Sequence, residues 1–73
     1  MNLNARIRAW REHLGLRVTD LAKQVGVSTA AVSQWEREEN GTTPSHENLA
    51  AIATAFGLSM AEFWGPIPAA AVA

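Results

Sequence analysis

The chain has 73 residues and is 48% apolar, which allows one domain around one small core and excludes a disordered composition. It has no cysteine, no apolar run near the about 18 residues of a membrane span, and no apolar signal core behind Met1-Asn2-Leu3-Asn4, so a cytoplasmic protein without disulfides or thiolate metal sites is expected. The net charge of −1 is polarised: residues 1–35 carry +3 and residues 36–73 carry −4, a pattern that presents a basic face to phosphate or simply keeps helices solvated.

The elements read as helices in chain order. Leu3, Ile7, Trp10 and Leu14 recur at steps of four, three and four, which predicts a first helix over about 3–14, closed by Gly15. Val18, Leu21, Ala22 and Val25 follow the same helical spacing, giving a second helix over 18–25 that Gly26 terminates. Ser28 is an N-cap for a third helix over about 29–38, and Asn40-Gly41 marks a turn after it. Ser45 caps a fourth helix over about 46–56, with Leu49, Ile52, Ala53 and Phe56 on one stripe. Ser59 caps a short fifth helix over 60–64, and Gly65-Pro66-Ile67-Pro68 ends regular helix because proline lacks an N–H and restricts the residue before it. The expected domain is residues 1–65, all-α, with residues 66–73 as a tail that is flexible or takes part in a dimer. No segment alternates as a strand does.

The segment from Val18 to Arg37 carries the functional signal. Two helices joined by a tight turn cross steeply, so the first needs a small residue at the crossing, here Ala22. The turn needs a residue that tolerates positive φ, here Gly26. The second helix needs apolar anchors, here Val32 and Trp35, with Val27 also turned inward. Its other face carries Thr29, Ala30, Ser33, Gln34 and Arg37: short and mostly uncharged polar side chains that suit approach to base edges. The same spacing also serves two helices of an ordinary bundle with no ligand.

A resemblance separates these readings. Ile7-Arg8-Ala9-Trp10-Arg11, Gly15-Leu16, Leu21-Ala22-Lys23, Val25-Gly26-Val27-Ser28, Val32-Ser33-Gln34-Trp35-Glu36-Arg37, Pro44-Ser45, Glu47, Leu49, Ile52-Ala53 and Phe56-Gly57-Leu58-Ser59 stand at fixed offsets. Together they resemble the Cro and repressor type of helix-turn-helix domain, the XRE family, over about residues 4–64. The resemblance implies a five-helix lambda-repressor-like fold and a sequence-specific regulator that occupies a double-stranded DNA operator as a homodimer.

By position, the resemblance places Thr29, Ala30, Ser33 and Gln34 at base edges. A Gln amide can both donate to and accept from adenine. Ser28, Arg17, Lys23, Arg37, Thr42 and Thr43 are the implied phosphate contacts, and Arg11 is expected to pair with Glu36. Phe63, Trp64 and Ile67, in an apolar cluster with Met60, are expected at a dimer interface, the alternative being closure of the core. Trp10 and Trp35 are expected in the core, and His13 and His46 on the surface without metal. No cofactor and no catalytic activity are expected.

Two departures stand out. Relatives usually begin the second helix with a capping Ser or Thr and then a Gln, where this chain has Arg17 and Val18, so the cap is expected to be lost. The loop from Arg37 to Pro44 is about two residues longer than usual and carries Glu38 and Glu39, which must point away from phosphate. Phage or bacterial repressors, restriction–modification controllers and toxin-binding antitoxins share this fold and size, and a protein-interaction module could keep the fold without DNA. With no room for a ligand-sensing domain, control is expected to come from concentration, competition or another protein.

Overall fold

The computed structural model describes residues 2–68. It consists of five helices, α1 (Leu3–His13), α2 (Val18–Val25), α3 (Thr29–Glu36), α4 (His46–Ala55) and α5 (Met60–Trp64), with no strand among the described residues. Residues 69–73 of the expected tail lie outside the described residues. Four of the five helices, all but α2, start where a short polar side chain satisfies free N–H groups of the first turn. Asn2, Ser28 and Ser45 accept from the backbone N–H of Ala5, Ala31 and Asn48. At α5 the arrangement is reciprocal: Ser59 Oγ accepts from the Glu62 N–H at 3.0 Å, and the Glu62 carboxylate accepts from the Ser59 N–H at 2.8 Å.

The core takes residues from every helix: Ile7 and Trp10, Leu21 and Ala22, Val32 and Trp35, Ile52 and Ala53 with Phe56, and Phe63. Leu16, Val18, Val25, Val27, Leu49, Leu58 and Ile67 pack around it, half-buried. Burying these apolar stripes, more than intrinsic propensity, is what holds helices of five to eleven residues together. α2 packs against both α3 and α4, α1 against α3, and α4 against α5.

The α2–α3 turn forms as its residues demand. Ala22 is buried at the crossing. The N–H groups of Gly26 and Val27 both donate to its carbonyl, at 2.8 and 3.0 Å. Gly26 has φ +84°, and a β-carbon there would meet nothing within 4 Å. Its backbone conformation, not lack of space, therefore requires glycine.

Candidate nucleic-acid interface

α3 buries Val32 and Trp35 and turns its opposite side to solvent. Thr29, Ala30 and Ser33 are exposed on that side, and Gln34 is half-buried beside them. A helix brings positions i, i+1, i+4 and i+5 onto one face, so the four expected base readers stand together. Ser28 is exposed and does cap α3, with its Oγ 3.1 Å from the Ala31 nitrogen.

The orientation of α3 is fixed by Arg11 on α1. Its Nε and Nη2 donate to the two Glu36 carboxylate oxygens at 2.7 and 2.9 Å, and its Nη1 donates to the Leu16 carbonyl at 2.7 Å. The side chains are only 13% and 8% exposed, so solvent screens the pair weakly. The hydrogen bonds to Glu36 raise the Arg11 pKa against the opposing effect of burial. One guanidinium thus ties the end of α1, the first turn and the end of α3 together.

The third helix was expected to run to about residue 38, but it stops at Glu36, and Arg37 is extended (φ −80°, ψ 126°). The reason is the chain that follows. The Arg37 N–H donates to the Gln34 carbonyl at 3.3 Å, and the Thr42 N–H donates to the same carbonyl at 3.2 Å. Asn40 adopts a left-handed conformation (φ +57°), which folds the loop back onto α3. A β-carbon at Gly41 would collide with the Arg37 carbonyl and lie 2.6 Å from the Gln34 carbonyl, so only glycine fits this approach. Asn4 of α1 reaches across and donates from Nδ2 to the Thr42 carbonyl at 3.0 Å. Arg37, Thr42 and Thr43 are exposed on this anchored loop, as are Glu38 and Glu39.

At the start of α2 the capping side chain is lost as expected, and a second contact takes over part of the task. Arg17 supplies no side-chain acceptor, but Asp20 turns back and accepts from the Arg17 N–H at 2.9 Å. The same carboxylate accepts from Arg17 Nε and Nη2 at 3.2 and 3.1 Å. These bonds hold the Asp20 carboxyl below its ordinary range. Arg17 is therefore exposed, as a phosphate contact must be, but already paired. Arg8 likewise pairs with Glu12 at 3.5 Å on the surface of α1. Lys23 and Arg37 are exposed and have no ion-pair partner among the described residues.

At the C-terminal end the structure divides the expected dimer cluster. Phe63 is fully buried within the chain's own core, with its ring stacked at 6.5 Å on Phe56, so it cannot reach a second subunit. A helix of five residues needs one apolar anchor to hold it to the bundle, and Phe63 is that anchor. Ile67 is half-buried against the same core. Trp64 is 49% exposed and Met60 40% exposed. Trp10, expected in the core, is there, and its Nε1 donates to the Phe63 carbonyl at 2.9 Å. Arg6 donates to the Phe63 and Gly65 carbonyls at 2.8 and 2.6 Å and lies over the Trp64 ring, 5.8 Å from its centre. Arg6 therefore caps the C-terminal carbonyls of α5 and is not free for phosphate.

Sequence reasoning missed the roles of Asn4, Arg6, Asp20 and Gly41. Asp20 had a signal, an acidic residue three positions after the N-cap residue Arg17. Gly41 belonged to the Asn40-Gly41 turn signal, which does not show its close approach to α3, whereas Asn4 and Arg6 act across the fold and leave no local pattern. Among the described residues no three His, Cys, Asp or Glu side chains group to hold a metal ion, and no helix is long and apolar enough to cross a membrane.

Comparison with known proteins agrees with this geometry. The chain is 49% identical over 57 residues, 78% of its own length, to Repressor protein C2 of Salmonella phage P22. It spans 26% of the length of that relative. No solved structure matches it. The profile described as helix-turn-helix matches residues 7–63, the span from the first core residue of α1 to the last of α5, and the chain belongs to that family.

Proposed function

We propose that the chain is a transcriptional repressor that binds double-stranded DNA in a sequence-specific way and acts by occupancy, without catalysis. The observation that carries this reading is the solvent-facing side of α3 with Thr29, Ala30, Ser33 and the half-buried Gln34, held at a fixed angle by the part-buried Arg11–Glu36 pair. A helix with such a face fits the major groove, where each base pair presents its own pattern of donors and acceptors. The name of the phage P22 relative points the same way. Ser28, Lys23, Arg37, Thr42 and Thr43 flank the face and are the phosphate contacts, with Arg17 joining them when phosphate replaces Asp20 as its partner.

The cation supply shapes the mechanism. Arg6 and Arg11 are committed to part-buried internal partners, Arg8 and Arg17 sit in exposed pairs that phosphate can displace, and Lys23 and Arg37 stand ready for DNA with no pair to break among the described residues. Two or three phosphate contacts per subunit give a salt slope of about −2 to −3 per subunit. Such a subunit holds DNA weakly alone, which favours a homodimer on paired half-sites. Trp64 and Met60, exposed on α5, supply apolar surface for the dimer, with Ile67 beside them.

Selection of sites from a random duplex library tests the reading, and a half-site should emerge. Gln34→Ala should lose about 1–3 kcal/mol of discrimination at one base pair while leaving the thermal midpoint near that of the wild type. Failure of the wild-type chain to enrich any sequence above background would refute it.

A further inference from the structure

The loop between α3 and α4 is held in place by two parts of the molecule at once. Thr42 is gripped on both sides: its N–H donates to the Gln34 carbonyl at the end of α3, and its carbonyl accepts from Asn4 Nδ2 on α1, 38 positions away in sequence. Gly41 makes the first grip possible, because any β-carbon there would strike the last turn of α3. The Gln34 carbonyl also receives the Arg37 N–H. Arg37, Thr42 and Thr43 therefore stand at fixed places relative to the backbone of Gln34, the best candidate base reader.

We propose that Asn4 is a positioning residue for DNA binding: through Thr42 it holds the loop of residues 37–43 in register with the reading face of α3, so that phosphate and base contacts form together. The inference rests on the DNA-binding reading. Asn4 touches no DNA in this scheme and carries no charge. A mobile loop would have to be ordered at the moment of binding, and that ordering weakens affinity. Asn4 removes the cost in advance.

The reasoning sets a distinctive signature. Asn4→Ala deletes one exposed hydrogen bond, no cation and no base-reading side chain. Affinity for the duplex selected by the wild-type chain should fall about threefold to tenfold, as expected for one hydrogen bond. The salt slope and the ratio of affinities for the selected duplex and its single-base variants should stay unchanged. Asn4→Gln, which restores an amide donor, should recover part of the loss. Gly41→Ala should weaken binding more, because the loop must leave α3.

Hydrogen exchange supplies a readout that needs no DNA. In Asn4→Ala the Thr42 amide should exchange faster, while core amides such as those of Leu21 and Ile52 keep their rates. Unchanged protection of the Thr42 amide overturns the inference whatever DNA does. Faster exchange with unaltered affinity overturns it too, since the loop would then not matter for binding. If the wild-type chain selects no duplex at all, the DNA-binding reading falls and takes this role with it, whereas loss of Thr42 protection would still show the tether itself to be real.

Discussion

Replacing Arg11 by methionine tests how α3 is held. The change leaves the Glu36 carboxylate, 8% exposed, without its partner. Breaking a buried pair in this way costs about 3–5 kcal/mol, because the remaining charge stays desolvated. A chain of 73 residues has a total stability of about 4–11 kcal/mol at typical values per residue. The single variant should therefore lose a large share of its stability, and its melting midpoint should drop by more than about 12 °C at 4–8 °C per kcal/mol. Arg11→Met combined with Glu36→Leu removes both charges and should recover about 2 kcal/mol of this loss. It should still be short by about 1–3 kcal/mol, because the Leu16 carbonyl loses its donor. Thermal and urea unfolding, followed by helix circular dichroism and tryptophan fluorescence, measure all three proteins. DNA affinity at a temperature where each is folded should fall for both variants, since neither ties α1 to α3. A single variant that melts within about 3 °C of the wild type, or a double variant no better than the single, would refute the reasoning.

Two further outcomes follow from the geometry. Phe63→Ala should cost about 3–5 kcal/mol and leave the chain near its unfolding threshold, because its ring is fully buried, whereas Trp64→Ala should fold normally and, if α5 carries the dimer contact, shift sedimentation toward monomer. Asp20 and Glu62 are both held below their ordinary values of 3.8 and 4.5, Asp20 first by the Arg17 side chain and Glu62 first by the Ser59 N–H. A depressed carboxyl contributes stability above its unfolded pKa and loses it as pH falls through the folded one. Acid titration should therefore destabilise the chain from about pH 4.5 downward. Asp20→Asn and Glu62→Gln together should flatten that part of the curve, and a curve of unchanged slope would show that these caps do not matter.

Much of the architecture was legible because it is written in local terms. Ser28, Ser45 and Ser59 were read as caps from their place before apolar runs, and each accepts from the backbone N–H three residues on. Ala22 and Gly26 were read from the demands of a steep crossing and a left-handed turn, and both do that work. The pairing of Arg11 with Glu36 came from resemblance, not from any spacing rule, and the structure brings the two together. The reading of the α5 cluster failed at Phe63 because apolar character says that a side chain must leave water, not which surface will cover it. The reading of α3 overran by about two residues because the signal that ends it, the Thr42 N–H on the Gln34 carbonyl, comes from a loop that returns from beyond the helix.

The sequence by itself determined the five helices, where they start and the face of α3 that stays free of bulk, because periodicity, capping and turn chemistry act within a few residues. Tertiary structure decided which charges remain available. Six cations look alike in the sequence, yet packing commits Arg6 to the carbonyls at the end of α5 and Arg11 to Glu36. It also decided where the loop after α3 lies, through Asn4 and Gly41. A hydrogen bond between residues 38 positions apart leaves no periodic trace, because it depends on where helices place their ends after the core has closed.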